Sequence, residues 1–368
     1  MKKSLIALAA LAATASFAQS TVQIDGIADA GFQSINYKGN TVNGIAGNGS
    51  STSQLNFRGS EDLGGGLKAE FRVETDWNMV SNYANTGTAS GTNFTSTANS
   101  INSSAGTFGN GEIRVGLAGG FGRVDLGAVN YNTLGTFLLG QPFGTAIGSG
   151  FRGVFVNDAQ TVSSVRAENA IKYTTPTFSG FNATLYKSNK QTKAGTGIAT
   201  DTNFSTTLGA YDQQGAEEIG LNYANGPIAA SFSSLKNDFS GVGTGTATQT
   251  VNTAAGKYTF NNGLAISLLN QSNKKDDNSL NNKTFTISGT YTMGAVVLMA
   301  QFGELKNISD VKTKMWALGA DYNLSKRTAV YARYESIDDQ AHVIATAATI
   351  DGSETKRTRT AIGLRHAF

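Results

Sequence analysis

The sequence LKAEFRVETDW, at residues 67 to 77, alternates apolar and polar side chains along almost its whole length. Successive side chains of an extended strand point to opposite faces, so one face of this stretch is apolar and the other is charged. A strand of roughly 9–11 residues is long enough to cross a bilayer when it is tilted. The stretch therefore predicts a membrane-crossing strand. Its apolar face holds Leu67, Ala69, Phe71, Val73 and Thr75, and its polar face holds Lys68, Glu70, Arg72, Glu74 and Asp76.

The same period of two recurs along the chain, for example over 112–118 and 122–128. Alternation of this kind indicates strands that have one apolar face and one polar face. It predicts sixteen strands, at residues 22–36, 53–60, 67–78, 111–119, 122–130, 167–175, 180–190, 216–224, 227–238, 253–261, 263–272, 282–292, 294–305, 312–323, 327–337 and 355–368.

The connections between these strands fall into two alternating kinds. Seven are short and rich in Gly, Asn or Pro, which are turn-forming residues. Eight are longer and polar, and both ends of the chain lie on the side of the short turns. This alternation predicts an all-β fold, a 16-stranded antiparallel transmembrane β-barrel with short periplasmic turns and longer external loops. The longer connections are 37–52, 79–110, 131–166, 191–215, 239–252, 273–281, 306–311 and 338–354.

The composition is consistent with a barrel and excludes several other functions. Only 39% of the 368 residues are hydrophobic and 15% are charged. A barrel of about sixteen strands encloses water, so half of each strand can be polar. The chain has no Cys and only two His, His342 and His366, which excludes thiol catalysis, disulfides and a His-rich metal site. We predict no cofactor and no metal.

The first eighteen residues have the pattern of a secretory signal peptide. Lys2 and Lys3 precede an apolar stretch that is too short to span a bilayer, and small residues precede the expected cleavage after Ala18. The sequence therefore predicts a signal peptide over residues 1–18 and a barrel over residues 19–368. Cleavage removes two of the 29 basic residues and leaves the mature chain close to neutral against 26 acidic ones. A nucleic-acid partner is not predicted.

The C-terminus carries a separate indication of the cellular location. Thr360, Ile362, Leu364, His366 and Phe368 share one face of the last predicted strand, and the chain ends on the aromatic ring. This pattern resembles the terminal signal by which the outer-membrane barrel-assembly machinery recognises its substrates. It places His366 on the lipid side, where it has no catalytic role.

Several motifs together resemble the trimeric general-diffusion porins of β-proteobacteria. They cover nearly the whole mature chain: IDGIAD at 24–29, STS at 51–53, FRGSEDLGGGLKA at 57–69, VGL at 115–117, FGRVDLG at 121–127, RAEN at 166–169, YTTP at 173–176, NLSKRT at 323–328 and GLRHAF at 363–368. The resemblance implies a homotrimeric, non-enzymatic outer-membrane channel for small hydrophilic solutes and ions, with outer-membrane lipids and lipopolysaccharide as partners. It also implies that the third external loop folds inward.

That third loop runs from Tyr131 to Val165. It contains more apolar side chains than a solvated loop needs, among them Phe137, Phe143 and Phe155. A loop of this length is normally functional or disordered. Because folding against the inner wall would bury these groups, we predict that the loop sets the bore of the channel.

The resemblance also assigns residues to the channel narrowing, where side-chain charge sets ion preference. Of the arginines that anion-preferring family members place there, only Arg166 is matched. Gln54 replaces a second, and the third falls near Gly111 or Glu112. We therefore predict a channel that prefers anions only mildly. The other inward-facing groups predicted from strand parity are Arg58, Arg72, Arg114, Arg123 and Lys172, with Asp25, Asp29, Glu70, Glu74, Asp76, Glu112 and Asp125 as counter-charges.

Other functions remain open from the residues alone. A substrate-specific porin would use inward aromatic side chains, and Tyr186 and Tyr331 are available. An adhesin would use the loops at 79–110 and 191–215. An outer-membrane lipase would need one of the two histidines beside a serine. Aspartate pairs at 276–277 and 338–339 lack the ligand spacing of a calcium site.

Overall fold

The computed structural model describes residues 20–37, 40–77, 79–80, 108–151, 154–155, 165–189, 215–238, 248–340 and 356–368. No helix within these ranges is long and apolar enough to cross a bilayer. They contain one helix, α1 (Asn132–Leu139), and seventeen strands: β1 (Thr21–Tyr37), β2 (Asn40–Gly47), β3 (Gln54–Gly64), β4 (Leu67–Asp76), β5 (Ile113–Gly119), β6 (Gly122–Asn130), β7 (Arg166–Thr174), β8 (Phe181–Ser188), β9 (Gly215–Asn225), β10 (Ile228–Asp238), β11 (Thr248–Thr259), β12 (Leu264–Lys275), β13 (Asn281–Met293), β14 (Val296–Lys306), β15 (Lys312–Asn323), β16 (Thr328–Asp339) and β17 (Lys356–Ala367).

The strands form one closed antiparallel cylinder. From β3 to β17 each strand pairs with its neighbours in the chain, and β17 pairs with β1 from Ile27 opposite Ala367 to Tyr37 opposite Arg357. The last residue continues this seam, because the Phe368 N–H donates to the Gly26 carbonyl over 3.0 Å and the Phe368 carbonyl accepts from the Gly26 N–H over 3.1 Å. This pairing joins the last strand of the cylinder to the first, as a spanning β-structure requires.

β2 and β3 together occupy one position in the cylinder. The first part of β1 pairs with β3, from Thr21 opposite Ser60 to Ile27 opposite Gln54, and its later part pairs with β2, beginning with Ala30 opposite Gly47. The seventeen strands therefore fill sixteen positions, and the prediction of a 16-stranded barrel is confirmed.

The prediction of a loop over 37–52 is wrong at residues 40–47, which form β2. This stretch, NTVNGIAG, contains three β-branched residues, but its apolar and polar side chains do not alternate clearly. It is extended because β1 is 17 residues long and offers a row of backbone groups to pair with. Pairing with β1 thus makes this stretch a strand where alternation gives no signal.

The strand ends agree with the predictions more closely at some positions than at others. β6 and β15 have the predicted bounds, whereas β11 begins at 248 rather than 253 and β12 ends at 275 rather than 272. The predicted connection over 273–281 is consequently a turn over 276–280. The residues at these strand ends are mostly polar on both faces. The alternation of apolar and polar side chains therefore does not indicate that the strands continue there.

The outer face of the barrel is apolar and its inner face is polar, which is the reverse of a water-soluble domain. In β13, Phe285 and Ile287 are 46% and 44% exposed, while Thr284, Thr286 and Ser288 between them are buried. The same arrangement places Leu268, Phe302, Trp316 and Leu318 outside and glutamines of β12 and β14 inside. Large exposed apolar surfaces mark a contact with an apolar medium, so the outer face is the lipid face.

The described part of the third loop packs against the inner face of the barrel. Phe137, Phe143, Val154 and Phe155 form one cluster with inward side chains of β12 and β14–β16, including Leu269. Two polar contacts join the same surfaces. Ser288 Oγ donates to the Gly140 carbonyl over 3.1 Å, and Gln301 Nε2 donates to the Ser149 carbonyl over 3.1 Å. Residues 152–153 and 156–164 of this loop lie outside the described ranges.

The seam between β1 and β17 generates a stability prediction. A Cβ atom at Gly31 would come 2.5 Å from the Ile362 carbonyl oxygen and 2.6 Å from the Gly363 Cα, both backbone atoms. We expect Gly31→Ala to lower the free energy of unfolding in detergent by about 1–3 kcal/mol, the usual cost of overpacking.

Gly256→Ala in β11 is the matched control, because its Cβ would meet nothing within 4 Å. We expect no loss there, or a gain of roughly 0.4–1 kcal/mol from the less flexible unfolded chain. The measurement is urea unfolding followed by tryptophan fluorescence. Equal effects of the two substitutions would contradict a tightly packed seam.

Candidate functional site

One sector of the inner wall, formed by β1 and β3–β7, carries a dense set of charges. Inward positions on adjacent strands bring these side chains into one layer, as the parity of the sequence predicts. Seven of the predicted site residues meet here: Arg58, Arg72, Arg114, Arg123, Glu112, Asp125 and Lys172. Arg166 begins β7 at the edge of this sector, and Gln54 begins β3 opposite Asp76.

The charges at the β1–β5 side form a connected chain. Arg58 Nε lies 3.0 Å from Asp25 Oδ2, and the Asn56 amide donates to the other oxygen of Asp25 over 2.9 Å. Arg72 donates to Asn56 Oδ1 over 2.9 Å and to Glu112 Oε2 over 2.8 Å. Arg72 also pairs with Glu74 on its own strand. Asn56 therefore links two arginines, each of which has its own carboxylate.

The chain continues on β5 and β6 around Asp125. This carboxylate accepts hydrogen bonds from Arg114 Nη1 over 2.9 Å and from Arg123 Nε over 2.7 Å. Arg123 Nη1 also lies 2.8 Å from Glu70 Oε2. Two arginines on neighbouring strands thus share a single buried acid.

Arg166 lies where the third loop begins. Its Nε donates to Asn130 Oδ1 over 2.9 Å and its Nη1 to the Asn110 carbonyl over 3.0 Å. Lys172 Nζ donates to the Asn130 carbonyl over 2.8 Å, so both cations converge on the end of β6. Because Tyr131 begins the loop directly after Asn130, these cations sit beside its first residues.

The basic side chains of this sector are more exposed to solvent than the acidic side chains with which they pair. In each of the eight ion pairs between described residues of this sector, the basic side chain is more exposed than its acidic partner. Arg58 is 45% exposed against 22% for Asp25, and Arg123 is 28% exposed against 7% for Asp125. The acids form the base of the layer, and the guanidinium groups form its surface.

The third loop is held by two buried carboxylates on strands that flank the charged sector, β9 on one side and β16 on the other. Glu218 of β9 accepts hydrogen bonds at the start of α1 from the Thr133 N–H and hydroxyl, each over 2.7 Å, and from the Asn132 N–H. Glu335 of β16 accepts the Gly148 N–H over 3.0 Å. Buried donors left without such a partner would cost about 1–3 kcal/mol each, so these contacts fix the loop.

Glu335 is itself neutralised by two arginines of β17. Arg359 Nε lies 2.7 Å and Arg357 Nη2 lies 3.1 Å from Glu335 Oε1. The group is fully buried, and a buried carboxylate of this kind is stable only when it is paired and hydrogen-bonded. The wall under the loop is therefore a compensated cluster of charges.

A second inward segment, residues 48–53, joins β2 to β3 and contacts the loop. Asp29 accepts the N–H groups of Ser50 and Ser51 over 2.9 and 2.8 Å and the Tyr331 hydroxyl over 2.6 Å. The Thr52 and Thr145 hydroxyl oxygens lie 3.1 Å apart. The prediction that Asp29 acts as a counter-charge in the lumen is therefore wrong, because its oxygens are occupied by this segment.

The two inward tyrosines are structural. Tyr186 and Tyr331 are buried, and the Tyr186 hydroxyl donates to the Ala167 carbonyl over 2.9 Å. His366 lies on the outer face with Nδ1 2.9 Å from Thr328 Oγ1, and His342 lies outside the described residues. Within the described ranges no cluster of three potential metal ligands occurs.

Comparisons with known proteins agree with this geometry. A family model described as Gram-negative porin matches residues 5–342. Outer membrane porin protein 32 of Delftia acidovorans is 33% identical over 100% of both chains, and major outer membrane protein P.IB of Neisseria lactamica is 25% identical over 100% of both.

Solved structures give the same result. The anion-selective porin from Comamonas acidovorans superposes with a TM-score of 0.70 at 26% identity, covering 95% of this chain and 100% of that one. The trimer form of OmpT from Vibrio cholerae superposes with a TM-score of 0.61 at 16% identity, covering 95% and 99%, which supports the fold alone. The chain belongs to the Gram-negative porin family, and its closed barrel is a diffusion channel of the outer membrane.

Proposed function

We propose that this porin passes ions and small hydrophilic solutes passively and prefers anions mildly. The observation that carries the proposal is the exposure of the charged wall, where guanidinium groups cover the carboxylates with which they pair. A permeating ion therefore approaches the positive guanidinium groups first. The nearby carboxylates reduce the effect of this positive charge on the ion. The similarity to a porin described as anion-selective supports the same sign.

The proposed aperture lies between the third loop and the charged wall. The loop rests on β9–β16, whereas the charges project from β1 and β3–β7. Water and solutes then pass between these two surfaces. Arg166 lies at the junction of the two, and this position supports its proposed role in lining the constriction.

The assembly and export of the protein are also proposals. A homotrimer is the assembly that the resemblance to the trimeric porins of β-proteobacteria implies, and membership of the Gram-negative porin family supports it. Recognition of the C-terminus by the barrel-assembly machinery is supported by the position of Phe368 at the closing seam. The signal peptide over residues 1–18 lies outside the described ranges and stays a prediction.

Charge reversal at Arg166 tests the selectivity. We expect Arg166→Glu to lower the anion-to-cation permeability ratio about fivefold, since a charge near a water-filled aperture contributes about 1 kcal/mol. The ratio is measured from reversal potentials across planar bilayers under a salt gradient. Arg166→Gln should produce a smaller change of the same sign.

Arg327→Glu is the matched control, because this exposed residue lies in the short turn between β15 and β16. It makes the same change in net charge at the far end of the barrel and should leave the ratio unchanged. If Arg166→Glu also leaves the ratio at its wild-type value, the assignment of Arg166 to the constriction is wrong.

Release of the loop tests the location of the aperture. Glu218→Ala removes the acceptor for donors of Asn132 and Thr133, and we expect higher single-channel conductance with more current noise. Glu217→Ala is the control, because Glu217 lies on the outer face and pairs with Lys187. Identical single-channel records from the two variants would show that the loop does not limit conduction.

A further inference from the structure

Three arginines form a row across the inner face of β3, β4 and β5. Arg58 lies directly opposite Arg72, and Arg72 lies directly opposite Arg114. Like charges that face each other across strands destabilise a sheet. The row therefore depends on the side chains beside it for compensation.

A second row of inward side chains lies next to the arginines, on the side of the long loops. Asp25 of β1 is opposite Asn56, and Asn56 is opposite Glu74. The Glu74 N–H donates to the Glu112 carbonyl over 3.0 Å, so Glu112 continues this row. Three of these four positions carry a carboxylate, and the fourth carries the neutral amide of Asn56.

Two of the arginines have a carboxylate on their own side of the sheet two residues away. Arg72 pairs with Glu74, which follows it on β4. Arg114 Nε lies 3.5 Å from Oε2 of Glu112, which directly precedes β5. Both arginines also pair with an acid of a neighbouring segment. Their side chains are only 16% and 17% exposed, so they lie within the wall.

Arg58 differs from these two arginines because its own strand supplies no such carboxylate. Its inward neighbours on β3 are Asn56 and Ser60. Among the described residues it pairs with Asp25 of β1 alone, over 3.0 Å. The Arg58 side chain is 45% exposed, the highest value among the arginines in the ion pairs of this sector. It is therefore the least compensated positive charge of the row.

Asn56 is fixed in one orientation by its partners. The side chain is fully buried. Its Nδ2 donates to Asp25 Oδ1 over 2.9 Å, and its Oδ1 accepts from Arg72 Nε and Nη2 over 3.2 and 2.9 Å. A carboxylate only accepts hydrogen bonds and a guanidinium only donates them, so an amide matches both neighbours. Aspartate at this position would lose the bond to Asp25, and leucine would lose all three bonds.

We propose that Asn56 is a specificity-determining residue of the channel, which acts through Arg58 and Arg72. Its amide holds Arg72 against the wall. As the uncharged member of the carboxylate row, it also leaves Arg58 as the positive charge that a permeating anion meets. The proposal rests on the proposed passage of ions along this wall, and it assigns part of the anion preference to a buried residue that carries no charge.

The test adds the missing carboxylate with Asn56→Asp, a change that keeps the size of the side chain. We expect the anion-to-cation permeability ratio to fall about fivefold, measured from reversal potentials across planar bilayers under a gradient centred on about 0.1 M salt. In about 1 M salt, where charges are screened beyond about 3 Å, single-channel conductance should equal that of the wild type. A lower conductance in 1 M salt would show that the aperture has changed and would overturn the proposal.

Two variants at Asp25 test the same row from its other side. Asp25→Asn removes a carboxylate beside Arg58 and should raise the ratio. Asp25→Asn combined with Asn56→Asp exchanges the amide and the carboxylate and keeps their number, so it should return the ratio to the wild-type value. If the combined variant keeps the lowered ratio of Asn56→Asp, or if Asp25→Asn fails to raise the ratio, the proposal is wrong.

Asn182→Asp in β8 is the matched control. Asn182 alternates with outward neighbours and faces the lumen outside both rows. Its Oδ1 accepts from the Asn222 amide over 3.0 Å, a bond that a carboxylate also accepts. The control makes the same change in net charge and should shift the ratio far less than Asn56→Asp. Equal shifts in the two variants would show a general effect of charge in the lumen and would overturn the role of Asn56.

Failure of this inference is distinguishable from failure of the proposed function. A wild-type channel without anion preference would contradict the proposed function, and a fivefold fall in the ratio on Asn56→Asp would still support the role of Asn56. A wild-type channel that prefers anions, with the same ratio after Asn56→Asp, would overturn the role of Asn56 alone.

Discussion

Backbone hydrogen bonding in an apolar medium is the constraint on which this structure depends. Inside a bilayer each N–H and C=O group needs a partner in the protein, since no water is present to supply one. The chain meets this requirement by pairing β17 with β1, and the terminal Phe368 extends that seam by two further backbone bonds. Closure in turn forces every strand to divide its side chains between lipid and the enclosed water.

The enclosed water then determines how charge is arranged. Charged groups on the inner face need not be fully dehydrated, so the wall of β1 and β3–β7 can carry many ion pairs at modest cost. Inside a layer of such pairs, the longer arginine side chains reach past the shorter carboxylates. The result is a surface with little net charge but an outer shell of one sign, as the pairs of Arg58 and Arg123 illustrate. Mild selectivity is the expected property of such a wall.

The loop in the lumen is held in place by side-chain contacts, whereas the strands are held by backbone pairing. Phe137, Phe143 and Phe155 remove apolar surface from the water-filled interior, and this burial supplies most of the attraction. It does not fix position, since apolar contacts are not directional. Glu218 and Glu335 add directional acceptors at the two ends of the described segment. The position of the loop therefore depends on two buried acids as well as on apolar contacts.

Sequence periodicity predicts the strands well because the bilayer imposes the same period on each of them. It misses β2, where Asn40–Gly47 pairs along the extra length of β1 and has no apolar stripe of its own. It places Arg58, Arg72, Arg114, Arg123 and Asp125 together, because parity and strand order suffice to bring neighbours into contact. The roles of Glu218 and Glu335 are not predictable in this way. Their partners lie 85 and 187 residues away, in a loop whose path is set by packing.

Neighbouring residues of one strand can consequently serve two unrelated environments. In β9, Glu217 pairs with Lys187 on the outer face, and Glu218 holds α1 inside the barrel. In β13, Lys283 faces outward, and Thr284 donates to the Val154 carbonyl in the third loop. The rigid strand keeps these functions one residue apart without coupling them. Lipid contact and solute passage can therefore change independently, because a substitution on one face leaves the backbone pairing that supports the other face intact.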